Sequence, residues 1–385
     1  MSLPSKTFCI APFIQACISA KNEVRPCCTY DWANEFKLGN IDNSSLKQAL
    51  QTPEWKKLRQ QLLDGEQPPG CWRCFKDELD MDETASMRNR YNSMYNNIIP
   101  EANNNEFFSL RYIETGFGTL CNLACKMCGP YVSSTFHNIV KPGEKFTENF
   151  YKDMQYFDID LNKVDYIKLI GGEPMMELKH DIFLDEIIAK NDNPEDITLY
   201  YFSNTTKKPK ENIIELWKRA GKVEIEHSLD GYGDTNIYQR PGNYVWQDIE
   251  DTIDYYFSLH GEVNLTHKVN TVITPLNVMK LHELFEWRVK KFGNIDHWCN
   301  ATLHPEWANI SNLNDELRGK IKKYFEENES VKKYMSKYDY QRTMRKLLEP
   351  SGINLSLDDI LNNTQLNLIS KYYNHDRGDL YEQYT

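Results

Sequence analysis

Between residues 110 and 303 the chain alternates short apolar strands with amphipathic helices, and no other feature restricts its fold so strongly. Candidate strands lie at 110–115, 164–170, 197–202, 223–229, 263–273 and 295–303. Helical periodicity falls between them, at 182–190, 211–220, 246–259 and 278–292. Strands separated by helices pair in parallel, because the helix provides the crossover that a parallel connection needs. The expected fold class is α/β: six βα units forming a partial (β/α)6 TIM-like barrel, with functional groups on the loops after the strand C-termini.

The flanks have a different texture. Residues before about 105 hold six of the ten cysteines and little strand pattern after Tyr30. Residues 45–63 read as a helix, with Leu46, Ala49, Leu50, Leu58 and Leu62 on one face and a restart at Pro53. Pro68-Pro69-Gly70 breaks the chain ahead of Cys71, and the asparagine-rich run 96–105 reads as a linker. Beyond Asn314 the chain is helical and charged. The expected domains are therefore a small cysteine-rich unit with its linker at 1–105, the barrel at 106–310 and a helical C-terminal extension at 311–385.

Composition narrows the function. With 385 residues and 40% hydrophobic content, a sizeable core forms without staples. The net charge of −11 disfavours a general binder of nucleic acid or anionic membranes. One segment runs against that balance: 331–346 carries six basic residues against one acid, with Tyr334, Tyr338 and Tyr340 interleaved. A solvated amphipathic helix explains it more simply than a surface for RNA or an acidic peptide. No window approaches the ~20 apolar residues of a membrane-spanning helix. The apolar stretch Phe8–Ile18 contains Pro12, Gln15 and two cysteines, which argues against a secretory signal. The expected compartment is the cytoplasm, where thiols stay reduced and clustered cysteines mean metal or catalysis.

The cysteines carry the chemistry. Cys121, Cys125 and Cys128 form a C-x3-C-x2-C run directly after the first barrel strand. Three thiolates on one loop suit three corners of a cubane iron–sulfur cluster, leaving the fourth corner open, as catalytic metal sites do. Upstream, Cys9, Cys27-Cys28, Cys71 and Cys74 can close an all-thiolate site for zinc or a cluster, with Cys27 and Cys28 as alternatives at one position. On this chemistry alone a non-enzymatic module with two zinc sites remains an alternative.

The loop Cys121–Cys128, followed by Gly171-Gly172-Glu173-Pro174, Ser203-Asn204-Thr205-Thr206, Ser228-Leu229-Asp230-Gly231 and Arg240-Pro241-Gly242, resembles the radical S-adenosylmethionine superfamily. The resemblance implies that the loop binds a [4Fe-4S] cluster whose open iron chelates S-adenosylmethionine. One electron then cleaves that cofactor into methionine and a 5′-deoxyadenosyl radical, which abstracts hydrogen from the substrate. It also implies cofactor contacts at Met127, Gly171, Gly172, Glu173, Ser203, Asn204, Ser228 and Arg240. The family position before the third cysteine is often aromatic; here it is Met127, apolar and polarizable.

Asn22-Glu23-Val24-Arg25-Pro26-Cys27, Gly39-Asn40, Leu58-Arg59 and Cys71-x2-Cys74 resemble the twitch version of the SPASM auxiliary domain. The module usually follows the barrel, and here precedes it; Asn22 stands where a glycine is usual. This implies a second, auxiliary [4Fe-4S] cluster on Cys9, Cys27, Cys71 and Cys74. Cys299, near the end of the last barrel strand, is a speculative hydrogen donor, against the commoner reading of a buried thiol. Relatives modify peptides or proteins by crosslinking, oxidation or epimerisation, so such a substrate is expected, with a small metabolite or RNA as alternatives. A flavodoxin- or ferredoxin-type electron donor is the other expected partner.

Overall fold

The computed structural model describes residues 3–19, 22–31, 35–42, 44–80, 86–116, 118–144, 158–375 and 383–384. Its centre is an open eight-stranded sheet. The strands are β1 (Gln15–Ile18), β2 (Val24–Arg25), β3 (Tyr112–Gly116), β4 (Tyr166–Ile170), β5 (Thr198–Ser203), β6 (Lys222–Ser228), β7 (Leu265–Ile273) and β8 (His297–Ala301). Their order is β2-β1-β3-β4-β5-β6-β7-β8. All neighbours are parallel except β1 and β2. The six barrel strands expected from the sequence are all present, with ends within two residues of the expected bounds.

Alternation within each strand fixes its two faces. Ile167 and Leu169 of β4, and Leu199 and Tyr201 of β5, are buried, whereas Lys168 and Tyr200 point the other way. Helices pack around this sheet. They are α1 (Ala11–Ile14), α2 (Leu46–Ala49), α3 (Pro53–Leu63), α4 (Trp72–Asp80), α5 (Met87–Met94), α6 (Ser134–Val140), α7 (His180–Lys190) and α8 (Glu211–Arg219). The chain continues with α9 (Asp234–Gln239), α10 (Trp246–Ser258), α11 (Leu281–Phe292), α12 (Asp315–Glu327), α13 (Glu329–Tyr334), α14 (Lys337–Leu348), α15 (Leu357–Leu361) and α16 (Thr364–Tyr372). The restart at Pro53 is real: Thr52 caps α3, its hydroxyl accepting from the Trp55 amide.

Three features depart from the sequence reading. The stretch 8–18 is the short α1 followed by β1, which pairs with β3 in the register Gln15↔Tyr112 to Ile18↔Thr115. A short apolar run does not reveal its strand partner. The asparagine-rich run 96–105 is packed rather than a free linker: Ile98, Ile99 and Ala102 are buried around a 3-10 turn. The basic run 331–346 is two helices, because the Ser336 hydroxyl accepts from the Asp339 amide and starts α14 afresh.

The flanks share cores with the barrel. One apolar cluster runs from Phe8 to Leu265 and joins Trp55 and Leu58 of α3 to Ile113, Ile167 and Leu199 of the sheet. A second joins Ile273 and Phe285 to Ile321, Phe325 and Leu347 of the C-terminal helices. At the free edge of β8, Asp339 accepts from the Cys299 amide (3.0 Å) and Arg342 donates to the Cys299 carbonyl (3.2 Å). Two side chains of α14 thus satisfy backbone groups that an edge strand would otherwise expose.

Candidate active site

The cysteine loop leaves the C-terminal end of β3 and is clamped from two sides. On one side, the Gly172 amide donates to the Gly118 carbonyl (2.9 Å) and the Glu173 amide to that of Leu120 (2.8 Å). A Cβ on Gly172 would lie 2.3 Å from the Leu120 carbonyl oxygen, and Gly171 has φ +120. The paired glycines are thus required by the close approach of the cysteine loop's own entry segment. On the other side, the Ala124 amide donates to the Pro241 carbonyl (2.8 Å) and the Lys126 amide to that of Gln239 (2.9 Å). Leu123 and Gly242 form a β-bridge, and a Cβ on Gly242 would meet Leu123 at 2.3 Å.

Inside this clamp Cys121 and Cys125 are buried and Cys128 is half-buried. Arg240 Nη1 approaches Cys125 Sγ at 3.8 Å, while Nη2 donates to Asp230 Oδ1 at 3.1 Å and Nε to Oδ2 at 2.5 Å. Asp230 also accepts from the Val272 amide at 2.7 Å, so the ion pair is anchored to β7. Asn204 Nδ2 donates to Asn122 Oδ1 (3.0 Å) and lies 3.9 Å from Cys121 Sγ. Burial pushes the Cys121 thiol up to about 12 and raises those of Cys125 and Cys128. Loading iron onto these thiols therefore releases protons.

Glu173 is fully buried. It accepts from the Ser203 hydroxyl (3.0 Å), the Asn204 amide (2.6 Å) and the Met175 amide (3.2 Å), tying the ends of β4 and β5 together. Burial, offset in part by these bonds, leaves its carboxyl at about 7. Met127 packs partly buried beside the thiols. Ser228 ends β6 on the same face as Glu224 and Glu226, opposite Asn270. Asn277 precedes a 3-10 turn without capping it; its side-chain Nδ2 donates to the Asp230 carbonyl (2.6 Å).

The upstream thiols also converge. Cys9, Cys27, Cys71 and Cys74 line one cavity with Thr29, whose hydroxyl lies 3.3 Å from Cys27 Sγ and 3.8 Å from Cys74 Sγ. Arg88 stands beside them, paired to Glu78 at 2.6 Å and donating to the Phe8 carbonyl at 2.9 Å. Burial, then the neighbouring Cys74, pushes the Cys9 thiol up to about 12. Cys28 turns the other way, toward Glu114 and Lys168. Asn22 adopts φ 60, the left-handed conformation that Asn tolerates after Gly, which accounts for its standing where glycine is usual. Arg59 is structural: it is buried and donates to the carbonyls of Pro12, Leu50 and Asn105.

These donor sets fit clusters. Each is all-thiol, with Cys121 and Cys125 buried beside a half-buried Cys128, and Cys9 and Cys74 buried beside half-buried Cys27 and Cys71. Among the described residues, no three histidine, cysteine or carboxylate groups close on a point that would hold a single metal ion. A cubane spaces its thiolate corners more widely than one ion does. Cys299 is not brought to either set. It is fully buried in the apolar cluster under the C-terminal helices, and its strand neighbours Trp298 and Asn300 occupy the opposite face.

Sequence reasoning missed the polar face of the sheet. Lys168 pairs with Glu114 (3.1 Å) and Lys268 with Glu224 (2.8 Å). Tyr200 donates to Glu226, which also accepts from Asn270 (2.6 Å), and Asn300 donates to Asn270 (3.1 Å). The available signal was charge at every second position of strands otherwise apolar, such as Glu224 and Glu226 in β6.

Residues 116–288 match the family model for the radical SAM superfamily, and residues 9–75 match that for an iron–sulfur cluster-binding domain, SPASM. The two matches together take in more than half of the chain. No curated protein matches it. Solved structures that the chain matches include Streptococcus suis SuiB bound to the precursor peptide SuiA, 16% identical with a TM-score of 0.38, covering 72% of this chain and 64% of that one. Another is anSMEcpe with bound AdoMet, 14% identical with a TM-score of 0.42, covering 56% and 57%. A third is the radical S-adenosylmethionine methyltransferase TsrM from Kitasatospora setae, 14% identical with a TM-score of 0.33, covering 50% and 36%. The chain spans less than two thirds of the length of each.

Proposed function

Because the chain belongs to the radical S-adenosylmethionine superfamily and carries a SPASM-like iron–sulfur domain ahead of its barrel, we propose that it modifies a peptide or protein held against the polar face of the sheet. It is an enzyme, and its cofactors are a [4Fe-4S] cluster, S-adenosylmethionine and an auxiliary [4Fe-4S] cluster. When bound, these groups supply the reductive cleavage of S-adenosylmethionine and a radical able to abstract hydrogen.

The observation that carries this reading is the doubly clamped loop. Cys121, Cys125 and Cys128 hold three corners of the catalytic cluster, and Cys9, Cys27, Cys71 and Cys74 hold the auxiliary one. Arg240 spends Nε and Nη2 on Asp230, leaving Nη1, beside Cys125, for the cofactor carboxylate. Met127 supplies an apolar wall, Gly171 and Gly172 an open backbone, and Ser228 a hydroxyl at the strand ends. Glu173, Ser203 and Asn204 brace the pocket from beneath.

A peptide suits the polar face because donors and acceptors of both signs are spread from β3 to β8 rather than gathered around a compact ligand. The charge of −11 opposes RNA. A flavodoxin or ferredoxin in the cytoplasm would deliver the electron; crosslinking, oxidation and epimerisation all begin with the same abstraction.

The test is anaerobic reconstitution followed by reduction with S-adenosylmethionine present. Replacing Cys121, Cys125 and Cys128 by Ala removes roughly half the iron, one of two four-iron clusters. It also ends formation of 5′-deoxyadenosine. Retained cleavage in that variant would place the catalytic cluster elsewhere.

A further inference from the structure

Three histidines stand in line on β6, β7 and the turn after α10. His227 Nε2 lies 3.0 Å from His267 Nδ1, and His267 Nε2 lies 3.1 Å from His260 Nε2. The line starts at the surface, where His260 is exposed. It ends fully buried at His227, whose ring lies 5.2 Å from that of Phe292 and 5.9 Å from that of Tyr256. Burial pushes the His267 imidazole down to about 4 and that of His227 well below 6.5, so both are neutral at pH 7. A neutral imidazole has one N–H and one bare nitrogen. Burying it among aromatic rings is unfavourable unless both are bonded.

The partner at the inner end is Thr205, whose Oγ1 lies 2.9 Å from His227 Nδ1. Thr205 is fully buried and has φ 65. Among the described residues it is the one β-branched side chain in the left-handed region; the others there are Asn22, Asp31, Asn374 and glycines. A β-branched residue resists that conformation. It persists only where the surroundings over-determine it, and functional sites are where this is found.

Thr205 separates two residues that meet the cysteine loop. On one side, Asn204 gives its amide to Glu173 (2.6 Å) and its Nδ2 to Asn122 (3.0 Å), with Cys121 Sγ at 3.9 Å. On the other, Thr206 donates its amide (3.0 Å) and its hydroxyl (2.6 Å) back to Asn204 Oδ1, and accepts from Asn122 Nδ2 (2.8 Å). The Thr205 amide itself donates to Ser203 Oγ (3.0 Å), which donates to Glu173 (3.0 Å). Rotated into the right-handed region, Thr205 would carry Thr206 away from Asn204 and release the Asn204 side chain from its place beside Cys121.

We propose that His227 is a positioning residue for the S-adenosylmethionine site: bonded to Thr205, it holds the turn 203–206 in the conformation that seats Asn204 against Glu173 and Cys121. His267 satisfies its second nitrogen, and His260 ties the line to the surface. The proposal rests on the placing of Glu173, Ser203 and Asn204 around the cofactor. Among the described residues no hydrogen bond joins His227 to Glu173 or to a cluster thiol, so its influence passes through Thr205. An imidazole kept for packing alone would matter equally whatever residue stood at 205.

The test uses the reduced holoenzyme with both clusters. It reads KM for S-adenosylmethionine from 5′-deoxyadenosine formed without peptide, and hydrogen exchange of the amides of residues 204–206 before that cofactor is added. His227→Phe keeps a ring and removes the bond to Thr205; it should raise KM and speed exchange about tenfold each, the scale of one hydrogen bond. Thr205→Val keeps the shape and removes the hydroxyl, so it should do the same, and it carries the test if His227→Phe does not fold. His227→Asn retains a polar atom near the place of Nδ1 and should recover most of the parental KM. The deciding comparison is a Thr205→Gly background. Glycine adopts positive φ freely, so there His227→Phe should change either readout less than twofold. An equal change in both backgrounds assigns His227 to packing and overturns the proposal. Parental exchange in His227→Phe or Thr205→Val overturns it too, as does faster exchange with an unchanged KM. A parent that forms no 5′-deoxyadenosine would instead fail the enzyme reading, with exchange still reporting on the turn.

Discussion

Cys27 and Cys28 are adjacent in sequence and face opposite surroundings. Cys27 joins Cys9, Cys71 and Cys74 around Thr29, whereas Cys28 looks toward Glu114 and Lys168. Cys27→Ser should therefore lose the auxiliary cluster, roughly four of eight irons, and Cys28→Ser should retain it. Iron content and Mössbauer spectra decide, and equal losses would mean the doublet acts as a unit. Glu226 gives a second prediction at this scale. Burial, only partly offset by Lys168 and Asn270, raises its carboxyl from the usual 4.5 to about 7. The folded state then binds that proton more tightly than the unfolded chain. Stability is full below about 4.5, falls as pH rises through 7, and the difference is roughly 3 kcal/mol. Glu226→Gln should flatten the stability profile across that window and raise the melting temperature at pH 8. A profile identical to that of the parent would assign the buried carboxyl an ordinary affinity for its proton.

At the scale of elements, loops are placed by contacts between their backbones. The cysteine loop lies between the Gly171-Gly172 turn and the segment 239–242, so glycines that resemble ligand-binding motifs are equally packing requirements. Gly172→Ala should cost about 1–3 kcal/mol, as overpacking does. It should also impair retention of the catalytic cluster more than of the auxiliary one. Equal retention of both would show that the turn does not position the loop. The edge of β8 depends likewise on α14. Asp339→Ala leaves the Cys299 amide unsatisfied, at about 1–3 kcal/mol, and should speed its hydrogen exchange. Exchange as slow as in the parent would mean another group covers that edge.

For the whole molecule, the N-terminal unit is built into the barrel rather than appended to it. β1 continues the sheet beyond β3, and one apolar cluster runs from Phe8 to Leu265. Removing residues 1–105 would expose the β3 edge together with Tyr112 and Ile113. The remaining chain should aggregate; a soluble, monomeric, cooperatively melting barrel would show the two parts to be independent.

Six barrel strands, the restart at Pro53 and the three-thiol loop were legible because each rests on a local rule: alternation, proline geometry, ligand spacing. Such rules concern neighbours along the chain. Pairing of β1 with β3, burial of Cys299 and the ion pairs of Lys168 with Glu114 and Lys268 with Glu224 depend on residues far apart in sequence. The fold decided those. Which face of a strand meets solvent, and which charges pair across the sheet, follow from how apolar surfaces are buried together and not from any one segment. The sequence by itself determined an α/β barrel with three thiols on one loop, and its motifs carried the resemblance to an iron–sulfur family. Only the tertiary structure put its glycines against its own cysteine loop.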